Sequence, residues 1–296
     1  MSIAKAIDTY IEKVDNELTS ELASTGFVRA SETVRNINTL EERLAAALKA
    51  ETAFIRANLR SAVDLEVFAQ SWSQINDFNV IDDRLAEIFF DSFATNIPRL
   101  ATAYIKQTDP WLAVTQLTNR TIAWAKSWSQ ELGRIMKLAS HRQMESLLTT
   151  ALAEGQSVMD FTRHLMTSGI RNEYYRARST ALTEMLTAHS AAAEEALQQN
   201  PACEGKEWVH TGNHKNKPRE NHEEMSGVIV RKDEMFMLIG ADGGLYETPY
   251  PRHPSLPPGE RINCHCIHRA VINENVLGLS LEERKRLQSE IIAMDY

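Results

Sequence analysis

The sequence predicts a mostly α-helical protein that ends in a small α+β module. Apolar residues recur at spacings of three and four through roughly the first 200 residues, and Gly, Pro, His and Asn become frequent from Pro201 onward. The chain has 296 residues, of which 43% are hydrophobic, enough for a substantial core. We expect four segments: an N-terminal helical arm (1–108), a helical part (109–200), a His/Cys-rich β-containing module (201–272) and a C-terminal helix (273–296).

Long amphipathic helices are expected in the arm. One apolar stripe covers residues 3–22, and a second run starts near Ser31 and continues through Val67. An extended hairpin is one arrangement open to these helices. Pro98 should kink or break the next run, residues 81–107, because proline removes a backbone donor.

The second segment contains several helix boundary signals. Asp109-Pro110 has the composition of a helix start, with aspartate as N-cap and proline at the first helical position. A further helix should cover roughly 117–153 and stop at Gly155. Ser157 can cap a short helix that ends before Ser168-Gly169, and residues 172–198 predict another helix.

The module contains short apolar runs that are typical of strands. Gly227–Arg231 and Met235–Ile239 predict a β-hairpin, and an Asp-Gly-Gly turn leads to a third strand at Leu245–Thr248. The Pro-rich stretch that follows is expected to be an ordered loop without regular structure. Ser280-x-x-Glu283 is a capping box that opens the terminal helix.

Charge and hydropathy limit the classes of function. The formal net charge is −8, which argues against strong non-specific DNA binding and favours protein partners. There is no run of roughly 20 apolar residues that could span a bilayer. Acidic residues at Asp8, Glu12 and Asp15 interrupt any secretory signal. We therefore expect a soluble protein made in the cytoplasm, with no membrane partner.

Cysteine and histidine are concentrated in the C-terminal third. All three cysteines lie between residues 203 and 266, and six of the nine histidines lie between residues 210 and 268. This small, odd number of cysteines does not suggest a disulfide framework. Because residues 201–272 contain few large apolar side chains, a structural metal is one way to stabilise them. The candidate ligands are Cys203, His210, His214, His222, His253, Cys264, His265, Cys266 and His268.

The preferred ligand set is His222, His253, Cys264 and Cys266, holding a structural zinc ion. The two cysteines flank one residue, and folding back the predicted hairpin would bring the two histidines to them. In the alternative interpretation the cysteines are small buried apolar residues and the histidines tie loops together. A disulfide between Cys264 and Cys266 would be strained.

A catalytic interpretation has less support. The chain contains no His-Glu-x-x-His, no Gly-x-Ser-x-Gly and no phosphate-binding loop, although His222 is followed by Glu223 and Glu224. Four protein ligands would close the site, and closed zinc sites are structural. We therefore expect no enzymatic activity. A metal-dependent nuclease and a zinc-stapled nucleic-acid-binding protein stay open as alternatives.

Several motifs in the C-terminal half resemble a known family. They are Arg176, Arg178, Ala181 and Thr183-Glu184, then Trp208, Pro218-Arg219, His222, Met225 and Gly227, then Pro251, Pro254, Gly259-Glu260, Ile262-Asn263, Cys264 and Cys266. The order of these motifs is similar to that of the phage Mu F-like minor head proteins, also described as phage head morphogenesis proteins, and covers about residues 130–272. Two positions depart from the family pattern: His265 stands where arginine is usual, and His253 where aspartate is frequent.

The resemblance implies a minor capsid protein in the head of a tailed bacteriophage or prophage. Such proteins are low-copy internal head components that associate with the portal, and some influence DNA packaging or delivery. The expected partners are therefore the portal protein, the major capsid protein or both, with possible contact to packaged DNA. The expected location is the virion, at the head interior or portal region, and the host cytoplasm during assembly.

Overall fold

The computed structural model describes residues 3–167, 173–211 and 218–294 of the chain. In these residues the fold is mostly helical, and short strands occur only in the C-terminal third, which confirms the predicted fold class. The helices are α1 (Ile3–Ser24), α2 (Ala30–Ser61), α3 (Leu65–Asp77), α4 (Ile81–Thr108), α5 (Asn119–Ala153), α6 (Val158–Thr167), α7 (Glu173–Gln199), α8 (Glu220–Glu224), α9 (Pro258–Arg261), α10 (Glu274–Leu277) and α11 (Leu281–Met294). The strands are β1 (Cys203–Val209), β2 (Ile229–Arg231), β3 (Phe236–Ile239), β4 (Leu245–Thr248) and β5 (Ile267–Ile272).

The second amphipathic run ends earlier than its apolar pattern predicts. Helix α2 stops at Ser61, and Val63 is 89% exposed. The carboxylate of Asp64 accepts a hydrogen bond from Val67 N at 2.8 Å and so caps α3. The predicted continuation of one helix through Val67 was wrong because this cap begins a new helix.

Pro98 does not break its helix, and Asp109-Pro110 does not begin one. Helix α4 runs through Pro98 without a break, and Phe93 and Ile97 on the same helix are fully buried. Their packing outweighs the cost of an interior proline, about 3 kcal/mol. Asp109 begins a turn and not a helix, because its Oδ1 accepts from Trp111 N at 3.1 Å.

Other predicted helix boundaries are confirmed. Gly155 has φ +64° just after the end of α5, and Ser157 Oγ accepts from Asp160 N at 3.1 Å at the start of α6. The predicted stop at Ser168-Gly169 lies outside the described residues. At the start of α11, Ser280 Oγ accepts from Glu283 N at 3.3 Å and donates to the Glu283 carboxylate at 2.7 Å, which is a capping box.

The strands form two small antiparallel sheets with an unpredicted pairing. The order in the first sheet is β2-β1-β5, and the second sheet pairs β3 with β4. The predicted hairpin of Gly227–Arg231 with Met235–Ile239 was therefore wrong, because β2 pairs with β1 while β3 turns back on β4 through Gly243, whose φ is +80°. Strands β1 and β5 were not predicted. The Pro-rich loop also contains one short helix, α9.

The chain divides into two compact units, each built from separate stretches. Unit 1 comprises Met1–Ile37, Phe93–Trp124 and Leu182–Tyr296, and unit 2 comprises Asn38–Ser92 and Ala125–Ala181. The division into four consecutive segments stays a prediction. In the described part of the chain, no helix combines the length and the apolar character that a bilayer span requires.

Each unit has its own apolar core. Unit 1 contains one cluster where α1 and α2 meet α7 and a second cluster within the C-terminal module. The core of unit 2 is formed by Ile55, Leu59, Leu65, Phe68, Trp72, Met144, Leu148, Ala151, Phe161 and Leu165.

Candidate metal centre

Three of the four preferred metal ligands lie together in the C-terminal module. One donor atom from each of His222, Cys264 and Cys266 lies within 4.8 Å of the other two, and all three residues are buried. Nδ1 of His222 is 3.5 Å from Sγ of Cys264 and 3.6 Å from Sγ of Cys266.

These separations match the dimensions of a zinc site. With Zn–S bonds of about 2.3 Å and Zn–N bonds of about 2.0 Å, two donors of a tetrahedron stand about 3.5 Å apart. Two thiols and one imidazole are also the donor types that zinc prefers. The group His222, Cys264 and Cys266 can therefore hold a metal ion.

Two chain segments carry these donors. His222 lies on α8, and the Cys-His-Cys segment leads directly into β5, where Ile267 pairs with Val209 of β1. The indole of Trp208 packs edge-on against the His222 ring, with centroids 5.8 Å apart. The histidine is thus held against the first sheet by an aromatic side chain from β1.

The guanidinium of Arg252 donates hydrogen bonds to the backbone carbonyls of both cysteines. Its Nη1 donates to the carbonyl oxygens of Cys264 and Cys266 at 3.0 and 2.5 Å, and its Nε donates to Leu186 O at 3.0 Å. The Arg252 backbone has φ +70°, a conformation that costs a non-glycine residue of order 1–3 kcal/mol. These hydrogen bonds offset that strain and hold the backbone at both cysteines.

The Glu260 carboxylate is hydrogen bonded to Nε2 of His222. Nε2 of His222 lies 2.8 Å from the Glu260 carboxylate, which also accepts from Asn221 Nδ2 at 3.1 Å and Ala241 N at 2.8 Å. When Nε2 carries the proton that binds Glu260, the lone pair of Nδ1 faces the cysteines. A histidine that ligates a metal is commonly held by a carboxylate in this way.

The two thiols are electrostatically coupled. A hydrogen bond from Cys266 holds the pKa of Cys264 well below its usual range, with further help from His222 and Arg252, although burial opposes this. The same hydrogen bond raises the pKa of Cys266. Burial lowers the pKa of His222, but its bonds to Cys264 and Glu260 outweigh burial, so the net pKa is raised. The lowered pKa of Cys264 is in the direction that metal binding requires, because metals bind the thiolate form of cysteine.

His253, the fourth preferred ligand, is not brought to this group. Its Nδ1 is hydrogen bonded to the Ser255 hydroxyl at 3.0 Å and accepts from Ser255 N at 3.1 Å. Burial, with a contribution from Arg261, lowers the pKa of His253 to about 4. The ring lines a separate pocket of about 400 Å³ together with Glu194. His253 therefore closes a local turn, a role that its position in a Pro-rich loop did not reveal.

Three other candidate ligands have different partners. Cys203 Sγ donates to Gly205 O at 3.1 Å, and burial raises its pKa to about 11. His265 Nδ1 lies 3.1 Å from Glu21, and His268 Nε2 lies 3.3 Å from Glu194. His265 thus points to α1 and away from the two cysteines that flank it. The candidate His214 lies outside the described residues.

Sequence reasoning missed the supporting residues of the site. Glu260 belongs to the Gly-Glu pair of the recognised motif, but nothing in the pattern indicated that it faces His222. Arg252 lies between a proline and His253, and arginine in a loop is usually solvated. Here it is only 1% exposed. His210 was one of nine candidates, and its Nδ1 lies 3.4 Å from Cys266 Sγ.

A second motif of the C-terminal half forms a buried ion pair. Glu184 on α7 is only 3% exposed. Its Oε1 lies 3.1 Å from Nη2 of Arg261, whose Nε donates to Arg252 O at 3.0 Å. The Thr-Glu motif on α7 is thereby connected to the loop that supports the metal ligands.

The comparisons with known proteins agree with these motifs. Residues 142–269 match the family described as "Phage Mu protein F like protein". The uncharacterized protein YqbB of Bacillus subtilis (strain 168) is 39% identical over 230 residues, which cover 77% of this chain and 73% of YqbB. No solved structure gives a significant match. The chain therefore belongs to the phage Mu protein F-like family.

Proposed function

We propose that the protein is a minor head protein of a tailed bacteriophage or prophage that acts in head morphogenesis. Its expected partners are the portal protein, the major capsid protein or both, and its expected place is the head interior or the portal region. Family membership is the observation that carries this proposal. The acidic net charge of −8 is consistent with protein partners more than with a DNA-coating role.

Within this role we propose that zinc stabilises the C-terminal module. The donor set of His222, Cys264 and Cys266, with separations of 3.5 and 3.6 Å between nitrogen and sulfur, supports the choice of metal. When bound, zinc would supply a crosslink among α8, the Cys-His-Cys segment and β5. The protein residues would supply two sulfurs and one nitrogen, with Glu260 orienting the imidazole.

One observation favours the alternative of a metal-dependent hydrolase or nuclease. Three protein ligands with a nearby carboxylate can leave a coordination position for water, as in catalytic zinc sites. Against this, His222, Cys264 and Cys266 are each only 2–3% exposed, and a hydrolase must admit its substrate to the metal. The burial of the donors supports a structural site and no enzymatic role.

The proposed location can be tested by fractionating phage particles. Proheads and mature particles are separated on a density gradient after prophage induction, and each fraction is probed for this protein, the portal protein and a host cytosolic protein. We expect co-sedimentation with the portal in proheads and co-purification of the full chain with tagged portal. Absence from both proheads and particles, at a sensitivity that detects the portal, would contradict the proposal.

A further inference from the structure

We infer that His210 is the fourth protein ligand, which makes the site a closed centre of two cysteines and two histidines. This inference rests on the proposed metal site and specifies its coordination. It replaces His253, whose ring nitrogen is already engaged by Ser255.

The backbone places His210 beside Cys266. Strand β1 ends at Val209, which pairs with Ile267 in an antiparallel register. His210 directly follows the strand, so the same register places it across from Cys266. His210 N donates to Ser226 Oγ at 3.1 Å. Thr211 Oγ1 donates to His265 O at 2.9 Å. The chain around His210 is thus held on one side by the turn after α8 and on the other by the Cys-His-Cys segment.

The side chain of His210 has the reach and the free nitrogen that a ligand needs. Its Nδ1 is 3.4 Å from Cys266 Sγ, close to the spacing of about 3.5 Å between two zinc ligands. Its Nε2 is buried and has no hydrogen-bond partner among the described residues. His210 lies outside the three donors that are within 4.8 Å of one another. Ligation by His210 therefore requires its ring to turn from the position beside Cys266 toward the other two donors.

A fourth protein ligand determines whether the metal keeps an open coordination position. With His210 bound, the zinc tetrahedron is complete and no position is left for water or substrate. The site then connects the end of β1 to α8 and to the start of β5. The inference therefore predicts a structural crosslink among three segments that are distant in sequence.

The test uses the full-length protein loaded with Co²⁺, whose visible spectrum reports coordination number and thiolate count. We compare wild type with His210→Ala, His210→Cys, His214→Ala and His253→Ala. We expect His210→Ala to lower zinc affinity by at least about 100-fold, more than is typical for an outer-sphere change. His210→Cys should retain the metal and strengthen the thiolate charge-transfer band, and the other two variants should resemble wild type.

Azide provides a second measurement, and its result on the wild-type protein does not depend on how well a variant folds. Azide should leave the Co²⁺ spectrum of the wild type unchanged, because a closed site has no open position, and should perturb His210→Ala. The inference is overturned if azide binds the wild-type centre, or if His214→Ala or His253→Ala loses metal while His210→Ala does not. In those cases the proposed metal site of His222, Cys264 and Cys266 is not contradicted. If wild-type protein binds neither zinc nor Co²⁺, the metal proposal and the inference fail together.

Discussion

The core of unit 2 and the His/Cys-rich module are stabilised by different kinds of contact. In unit 2, ten buried residues form one continuous apolar cluster. The module has a smaller apolar cluster around Trp208 and Phe236, and it buries charged side chains such as Lys206, Arg252 and Glu260. The main cluster of unit 2 is entirely apolar, whereas the interior of the module combines apolar packing with buried charged groups and, in our proposal, with a metal.

The largest expected difference between the two regions follows metal removal. Chelation, or Cys264→Ala, should unfold the module and leave the unit 2 core folded, because structural zinc contributes of order 10 kcal/mol to small zinc domains. Hydrogen exchange detected by mass spectrometry can follow peptides from both regions in one sample. Cys203→Ala is the matched control, since Cys203 Sγ donates to the carbonyl of Gly205 and lies outside the three-donor group, so metal content should be unchanged. If peptides of the module kept the same hydrogen-exchange protection after chelation as before it, our account would be contradicted.

A core truncation in unit 2 should have the next largest effect. Phe161 is fully buried, and Phe161→Ala should lower the free energy of unfolding by about 3–5 kcal/mol. Met159 on the same helix is 69% exposed, so Met159→Ala should cost much less. Urea unfolding with and without chelator measures both. We expect the loss caused by Phe161→Ala to be the same in each condition, and a loss that depends on metal would break the contrast between the two regions.

Substitution of Glu260, whose carboxylate contacts His222, should have a smaller effect that is confined to the module. Glu260→Gln keeps the size of the side chain and should weaken zinc binding about 10- to 100-fold, because Glu260 orients the ligand. Glu224→Gln changes an exposed residue of the same charge at the end of α8 and serves as control. Competition with a chromophoric chelator gives both affinities. Equal zinc affinities of the two variants would show that Glu260 does not orient the ligand.

The smallest effect concerns acid stability. Burial lowers the pKa of His189 to about 3, and burial with Arg261 lowers that of His253 to about 4. In the unfolded chain these histidines take up protons below pH about 6.5. The unfolded state then binds more protons than the folded state, so the free energy of unfolding of unit 1 falls as pH decreases from 7 to 5. Urea midpoints across this range measure the slope, and His253→Gln should reduce it. An unchanged slope would contradict the burial-based explanation.

The elements that could be predicted from the sequence are those with local signals. The cap at Ser157, the stop at Gly155 and the box at Ser280 depend on residues within one helical turn of each other. The pairing of β1 with β5 joins residues about 60 positions apart, as in Trp208 with His268, and short strands give no signal of their partners.

The sequence identified the residue types of the candidate metal centre but not its geometry. Cys264 and Cys266 are fixed by adjacency in sequence, and His222 is fixed by a recognisable motif. His253 and His210 have the same chemistry, and their separation depends on three-dimensional contacts. Ser255 engages the ring of His253, whereas the end of β1 carries His210 to Cys266. Only the strand register could distinguish the two histidines.

Zinc content is the most direct test of the claim that a metal holds the module. The full-length protein is purified under reducing conditions without added metal or chelator, and zinc is measured by elemental analysis against protein concentration. Our account predicts about one zinc per chain, and close to none in the Cys264→Ala variant. Zinc well below one equivalent in freshly reduced wild-type protein would contradict the account and leave the family membership intact.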